Sequence, residues 1–341
     1  MPSKQTYNLE DIISKYERKQ QNILHALMAQ IMALFDRHTN EIAFLAAKRK
    51  LIRNRFLPPD VRAAIERVSV TVNAKTKDII INGIKRSWLL SEQKNVEVET
   101  FAYGGRRKPP TGIKVSVAGS PKGKSPYTAV DAFIKRKDEG MNLSKRVWKL
   151  SNSYKRTMTE VVTEGLKEGT SAKKLARELR TNLRNNKTQA APGKGVYKSP
   201  QKNAERLTRS EINLAYANAD TQRWAQQWFV IGIEVKLSNA HPKYDLCDEM
   251  KGKYPKDFSF QKWHPNCLCI AIPILAPQSV RNEMMDFQLG LTDKKPDVKY
   301  VTEMPKSATG WMKKNADRVK GWKNTPYFVQ HNQKYMADFL K

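Results

Sequence analysis

Four residues near the last third of the chain have the types that hold a metal ion: Cys247, His264, Cys267 and Cys269. Three thiolates and one imidazole are a complete set of ligands for a four-coordinate structural zinc. The spacing lacks the paired Cys-x-x-Cys knuckles of common zinc modules, so a long loop must bring Cys247 back beside the Cys267–Cys269 pair. His241 is an alternative ligand, although Pro242 beside it also suits a turn. The same residues permit plainer readings. Buried cysteines behave as small hydrophobic side chains, and His264 before Pro265 can simply cap a turn. They also permit catalysis: Asp245, Asp248, Glu249 and His264 as ligands of a divalent ion in a nuclease, or Cys267 or Cys247 paired with His264 as a nucleophile. Proximity in sequence alone supports those two readings. Gly193-Lys194-Gly195 lacks the spacing and the hydroxyl residue of a phosphate-binding loop, which argues against an ATPase motor.

The elements that must position this loop can be read from periodicity. Residues 203–231 form one long predicted helix, with Leu207, Leu214, Ala217, Trp224 and Trp228 down one face and Gly232 as its stop. Ile233, Val235 and Leu237 alternate with Glu234 and Lys236, as in a half-buried strand, and residues 270–275 read as the returning strand. The unit is therefore helix, strand, long Cys/His-bearing loop, strand.

These residues carry a family resemblance. Arg209-Ser210-Glu211, the run from Ala215 to Ala219, the Asp245/Cys247 loop and His264-Pro265-Asn266-Cys267-Leu268-Cys269 resemble the phage Mu F-like head morphogenesis family, the minor capsid proteins of tailed bacteriophages and prophages. The likeness is most specific over 207–275, and a weaker one extends back to about Tyr127. The family pattern places two cysteines in the first loop and Cys-Arg-Cys in the second. Here Met250 and Leu268 stand at the departing positions. The resemblance implies a part in head morphogenesis near the portal vertex, with portal and major capsid or scaffold proteins as partners. It implies a virion-head location after assembly in the bacterial cytoplasm. Arg209, Glu211, Asp245 and Pro265 would be the structural residues of its motif.

The rest of the chain reads as helices joined by basic segments. The expected fold class is mainly α with a small α+β unit: long helices and basic linkers around the helix–strand–Cys/His loop–strand module. Residues 1–100 are expected to be an N-terminal helical arm, 101–126 a Gly/Pro linker, 127–277 the module with its preceding helices, and 278–341 a C-terminal extension. Apolar residues recur at three- and four-residue steps from Ile12 to Phe35, Pro58-Pro59 interrupts, and Asp60 is a cap candidate for the next helix. Ile79-Ile80-Ile81 is β-branched, but Ile80, Ile84 and Trp88 keep helical spacing. Gly169 closes one later helix and Ser171 caps the next. Trp311 and Trp322 anchor a helix near 307–319, and the aromatic ending around Tyr327-Phe328 is expected to fold back on the body or dock on a partner.

The 341 residues carry 62 Lys and Arg against 33 Asp and Glu, a formal charge of +29. Self-repulsion of that size gives a fold nothing, so it implies a polyanionic partner. Non-specific double-stranded DNA is the first candidate, and an anionic membrane surface competes with it. Two segments concentrate the excess. One contains Arg106, Arg107 and Lys108, and the other contains Arg184, Lys187, Lys194, Lys198, Lys202 and Arg206, with Tyr197 as a stacking ring. No apolar run reaches the roughly 20 residues that span a bilayer, and the N-terminus does not read as a secretion signal. Three cysteines are too few and too odd in number for a disulfide framework, which fits a reducing compartment.

Overall fold

A computed structural model describes residues 8–53, 55–104, 126–138, 140–185, 199–238, 241, 244–264, 267–322 and 325–340. The chain is mainly helical with one small antiparallel sheet. In order it runs α1 (Leu9–Ala46), α2 (Pro59–Ala102), α3 (Pro126–Lys135), α4 (Leu143–Lys167), α5 (Ala172–Asn185), α6 (Pro200–Gln226), β1 (Val230–Lys236), α7 (Leu246–Met250), β2 (Gly252–Tyr254), β3 (Ile270–Leu275), α8 (Gln278–Gln288), α9 (Lys306–Lys320), α10 (Tyr327–Gln330) and α11 (Gln333–Leu340). The β-branched run at 79–81 is helix: α2 passes through it without a break, so helical spacing prevails over the isoleucines. The chain folds into two compact units built from interleaved segments. One joins Ile23–Gly83 with Ile134–Ile212, and the other joins Ile84–Phe133, Asn213–Lys341 and the N-terminal residues.

The first unit is an all-helical body. Apolar faces of α1, α2, α4 and α5 supply its core, including Phe35, Ile65, Tyr154 and Leu179. Phe35 and Tyr154 meet edge-on at 4.9 Å. Helix α4 starts where the Asn142 side chain accepts from the Lys145 N–H at 2.9 Å. It ends at Gly169, whose φ of +63° allows the left-handed turn that a β-carbon disfavours. Ser171 then caps α5 through the Lys174 N–H.

The second unit carries the sheet, in the order β2-β1-β3. Its register pairs Ile233 with Tyr254 on one side and with Pro273 on the other. Pro273 is tolerated because β3 is an edge strand and needs no donor on its open side. Two sequence expectations change here. The long helix stops at Gln226, not at Gly232, and Gly232 lies inside β1. A β-carbon at Gly232 would stand 2.9 Å from the Tyr254 carbonyl oxygen and 2.7 Å from Val301, so the glycine admits close backbone approach within the sheet and ends no helix. The loop between the two expected strands also holds a short helix and a third strand, α7 and β2.

The aromatic tail packs into this same unit. Phe328, Val329 and Met336 are buried in one cluster with Trp263, whose ring lies 5.5 Å from that of Phe328. The Asn332 amide closes the arrangement by bonding both the N–H and the carbonyl of Ser259, at 2.7 and 2.9 Å.

Candidate metal centre

The loop between β1 and β3 is shaped by a cap. Asp245 starts α7: its carboxylate accepts from the Cys247 N–H at 2.6 Å, while Asp248 reaches back to the Asp245 N–H at 2.9 Å. This reciprocal capping box fixes the first turn and aims Cys247 inward. His241 Nε2 donates to the Asp248 carboxylate at 2.9 Å, which ties the end of β1 to the cap. The cap N–H and His241 hold the Asp248 carboxyl below the usual range.

Cys247 therefore points at the second half of the loop. Its Sγ lies 3.2 Å from His264 Nε2 and 3.6 Å from Cys267 Sγ. All three cysteines are reduced and buried, Cys247 fully so. Cys269 is engaged with both other thiols. Hydrogen bonds from Cys247 and Cys269 drive the Cys267 thiol down to about 2, helped by Lys262 and the Trp263 N–H. The other two thiols rise. Cys247 does so through its bonds to Cys267 and Cys269, and Cys269, between a lowering contact with Cys247 and a raising one with Cys267, is pushed up to about 12. Thiols packed this closely give up their protons when a cation binds between them. Lys262 occupies the left-handed region, φ +65°, and its Nζ donates to the Cys269 carbonyl at 2.5 Å, so the turn bearing the second half of the cluster is held from both ends.

Cys247, His264 and Cys267 bring their donor atoms within 4.8 Å of one another, a group able to hold a metal ion. Three of the four expected ligand residues are thus assembled by the fold, with Cys269 two residues beyond Cys267. His241, Asp245 and Cys247 meet the same spacing, but His241 and both carboxylates are already committed to the cap. The Asp245 carboxylate lies 3.4 Å from His264 Nε2, the same nitrogen that faces Cys247.

The other motif residues differ in their surroundings. Glu211, on α6, is fully buried and clamped by Arg136 at 2.9 Å and by Arg146, which also bonds Asp138 at 3.1 Å. Arg209 is half-buried on the same helix. Pro265 lies outside the described residues, as do Arg106, Arg107, Lys108, Lys187, Lys194 and Lys198. Of the remaining basic candidates, Lys202 is exposed and Arg206 half-buried. Arg184 bonds Asp36 at 2.9 Å, so its charge is answered within the protein.

Sequence reading missed a buried polar seam between α2 and α6. Lys94 is completely buried and donates to Asp220 at 2.5 Å. The other Asp220 oxygen accepts from Ser91 and Asn95, and Asn95 accepts from the Trp224 indole at 2.6 Å. The available signal was spacing: Ser91, Lys94 and Asn95, and Asp220, Arg223 and Trp224, each stand at i, i+3, i+4.

No family model, no curated protein and no solved structure matches the chain.

Proposed function

We propose that this chain is a minor head protein of a tailed phage or prophage, acting in head morphogenesis at the portal vertex. Its partners are the portal and the major capsid or scaffold proteins, and it makes non-specific contact with packaged double-stranded DNA. The observation that carries the reading is the use made of the residues that bear the resemblance. Glu211 is a buried clamp for two arginines, and Cys247, His264 and Cys267 join two loop segments. These are scaffold roles, as an assembly protein requires. The +29 charge supports contact with packaged DNA, and no helix among the described residues is long and apolar enough to cross a membrane.

Zinc is the metal that best fits the centre. Soft thiolates with an imidazole favour it over the oxygen-seeking cations. Bonds of about 2.3 Å to sulfur and 2.0 Å to nitrogen place tetrahedral neighbours roughly 3.5–3.8 Å apart, close to the 3.6 and 3.2 Å found here. Bound there, it would staple α7 to the segment leading into β3, with Cys247, His264, Cys267 and Cys269 as ligands.

The test is made on particles from the host that carries the gene. Purified heads should contain this protein, and deleting its gene should leave capsids that fail to mature or to deliver DNA. Normal infectious particles made without it would end the proposal.

A further inference from the structure

The connection between α1 and α2 was not singled out by its sequence, yet its surface is unusual. Lys48, Arg49, Lys50, Arg53 and Arg55 fall within eight residues, and all five are exposed. Between and beside them three large apolar side chains stand in water: Phe44 at 62% exposure, Ile52 at 45% and Phe56 at 57%. Arg49 is answered by Asp60 at 2.6 Å. Among the described residues no carboxylate pairs with Lys48, Lys50, Arg53 or Arg55. Lys48 lies over the Phe44 ring at 4.3 Å, which keeps cation and ring on one face.

This surface is held in shape. Ile52 and Phe56 exchange backbone hydrogen bonds of 2.9 and 3.0 Å, closing the loop on itself, and Arg53 is kept in the left-handed region at φ +51°. Behind it, Ile42, Ala43 and Ala46 of α1 and Val61, Ala64 and Ile65 of α2 are buried in the helical core. A closed loop on an anchored helix pair presents these apolar side chains from a backbone that is already ordered.

We infer that the α1–α2 tip is a peripheral binding site for an anionic lipid surface. Phosphate contact alone would use the cations and leave two phenylalanines and an isoleucine in water. A lipid interface takes both: the rings and the isoleucine enter the boundary between headgroups and acyl chains, and the surrounding cations meet the headgroup phosphates. The site lies on the surface and needs no spanning helix.

Binding of the full chain to vesicles tests this, using phosphatidylcholine with or without about 30% phosphatidylserine, a composition that sets the negative surface potential. The protein carries many other cations, so the informative variant keeps every charge: Phe44→Ser, Ile52→Ser and Phe56→Ser together. Wild type should bind anionic vesicles and keep part of that binding at about 0.5 M salt, where surface attraction is largely screened. The serine variant should bind about tenfold more weakly, with the difference largest at high salt. Amide exchange of the unaltered protein should slow over residues 44–56 when vesicles are added. Equal vesicle binding by wild type and variant, unchanged exchange at the tip, or a deficit of the variant only toward duplex DNA would overturn the proposal.

Discussion

Single residues shape the candidate metal centre, because separate local devices position its two halves. Asp245 and Asp248 aim Cys247 through the capping box, while the left-handed Lys262 and its bond to the Cys269 carbonyl shape the opposite segment. Elemental analysis of the purified protein should find about one zinc per chain. Cys267→Ser should lose the ion and, with free zinc a thousandfold above its dissociation constant, about 4 kcal/mol of stability, read as a lowered denaturant midpoint. Three reactive thiols with no metal in the native protein would contradict this. A second residue-scale prediction concerns Arg223, which faces Glu99 at 2.8 Å and Glu92 at 3.6 Å. Burial raises both carboxyls above the usual range, and Arg223 only partly opposes it. A raised folded-state value means that the native state binds more protons than the unfolded chain. These two groups therefore subtract stability as pH rises from their unfolded value, about 4.3, through the folded one. Glu92→Gln should gain stability relative to wild type as pH goes from 4.5 to 7 in urea titrations. A constant difference across that range would show that Glu92 does not titrate in this way.

At the scale of elements, the α2–α6 seam has the largest expected energetic effect. Lys94 and Asp220 are both sealed from water, so removing one strands the other. Lys94→Met should cost about 3–5 kcal/mol, whereas Lys94→Met with Asp220→Leu should recover much of the loss, since a buried pair can often be replaced by apolar groups. Chemical denaturation of the two singles and the double variant measures the coupling. Additive losses would mean that the pair is not the unit. Amphipathic stripes made the helices legible, and the alternation in 233–237 made β1 legible. Helix α7 and strand β2 were not. They are five and three residues long, too short for a period to show. Gly232 misled because glycine ends helices and also admits close backbone approach in sheets, and only the neighbouring Tyr254 carbonyl distinguishes the two.

For the molecule as a whole, charge is the dominant property. If the protein lies against packaged DNA, its affinity for duplex should be independent of sequence and fall steeply with salt. Engagement of six or more phosphates corresponds to a loss of about a thousandfold or more between 50 and 200 mM salt. Filter binding or fluorescence anisotropy would read this, and a flat response would remove DNA from the partners. The sequence by itself determined the helical class, the strand pair around the Cys/His loop, the ligand inventory and the basic excess, because period, composition and residue chemistry are local properties. Tertiary structure alone decided that Cys247 meets His264 and Cys267 across seventeen and twenty residues, and that Arg136 and Arg146 meet on Glu211. It also decided that Lys94 is buried while Phe44 and Phe56 are exposed. Each is a question of what lies opposite a side chain once distant segments pack, and a polar residue on a helix reads the same whether it faces water or a buried counter-charge.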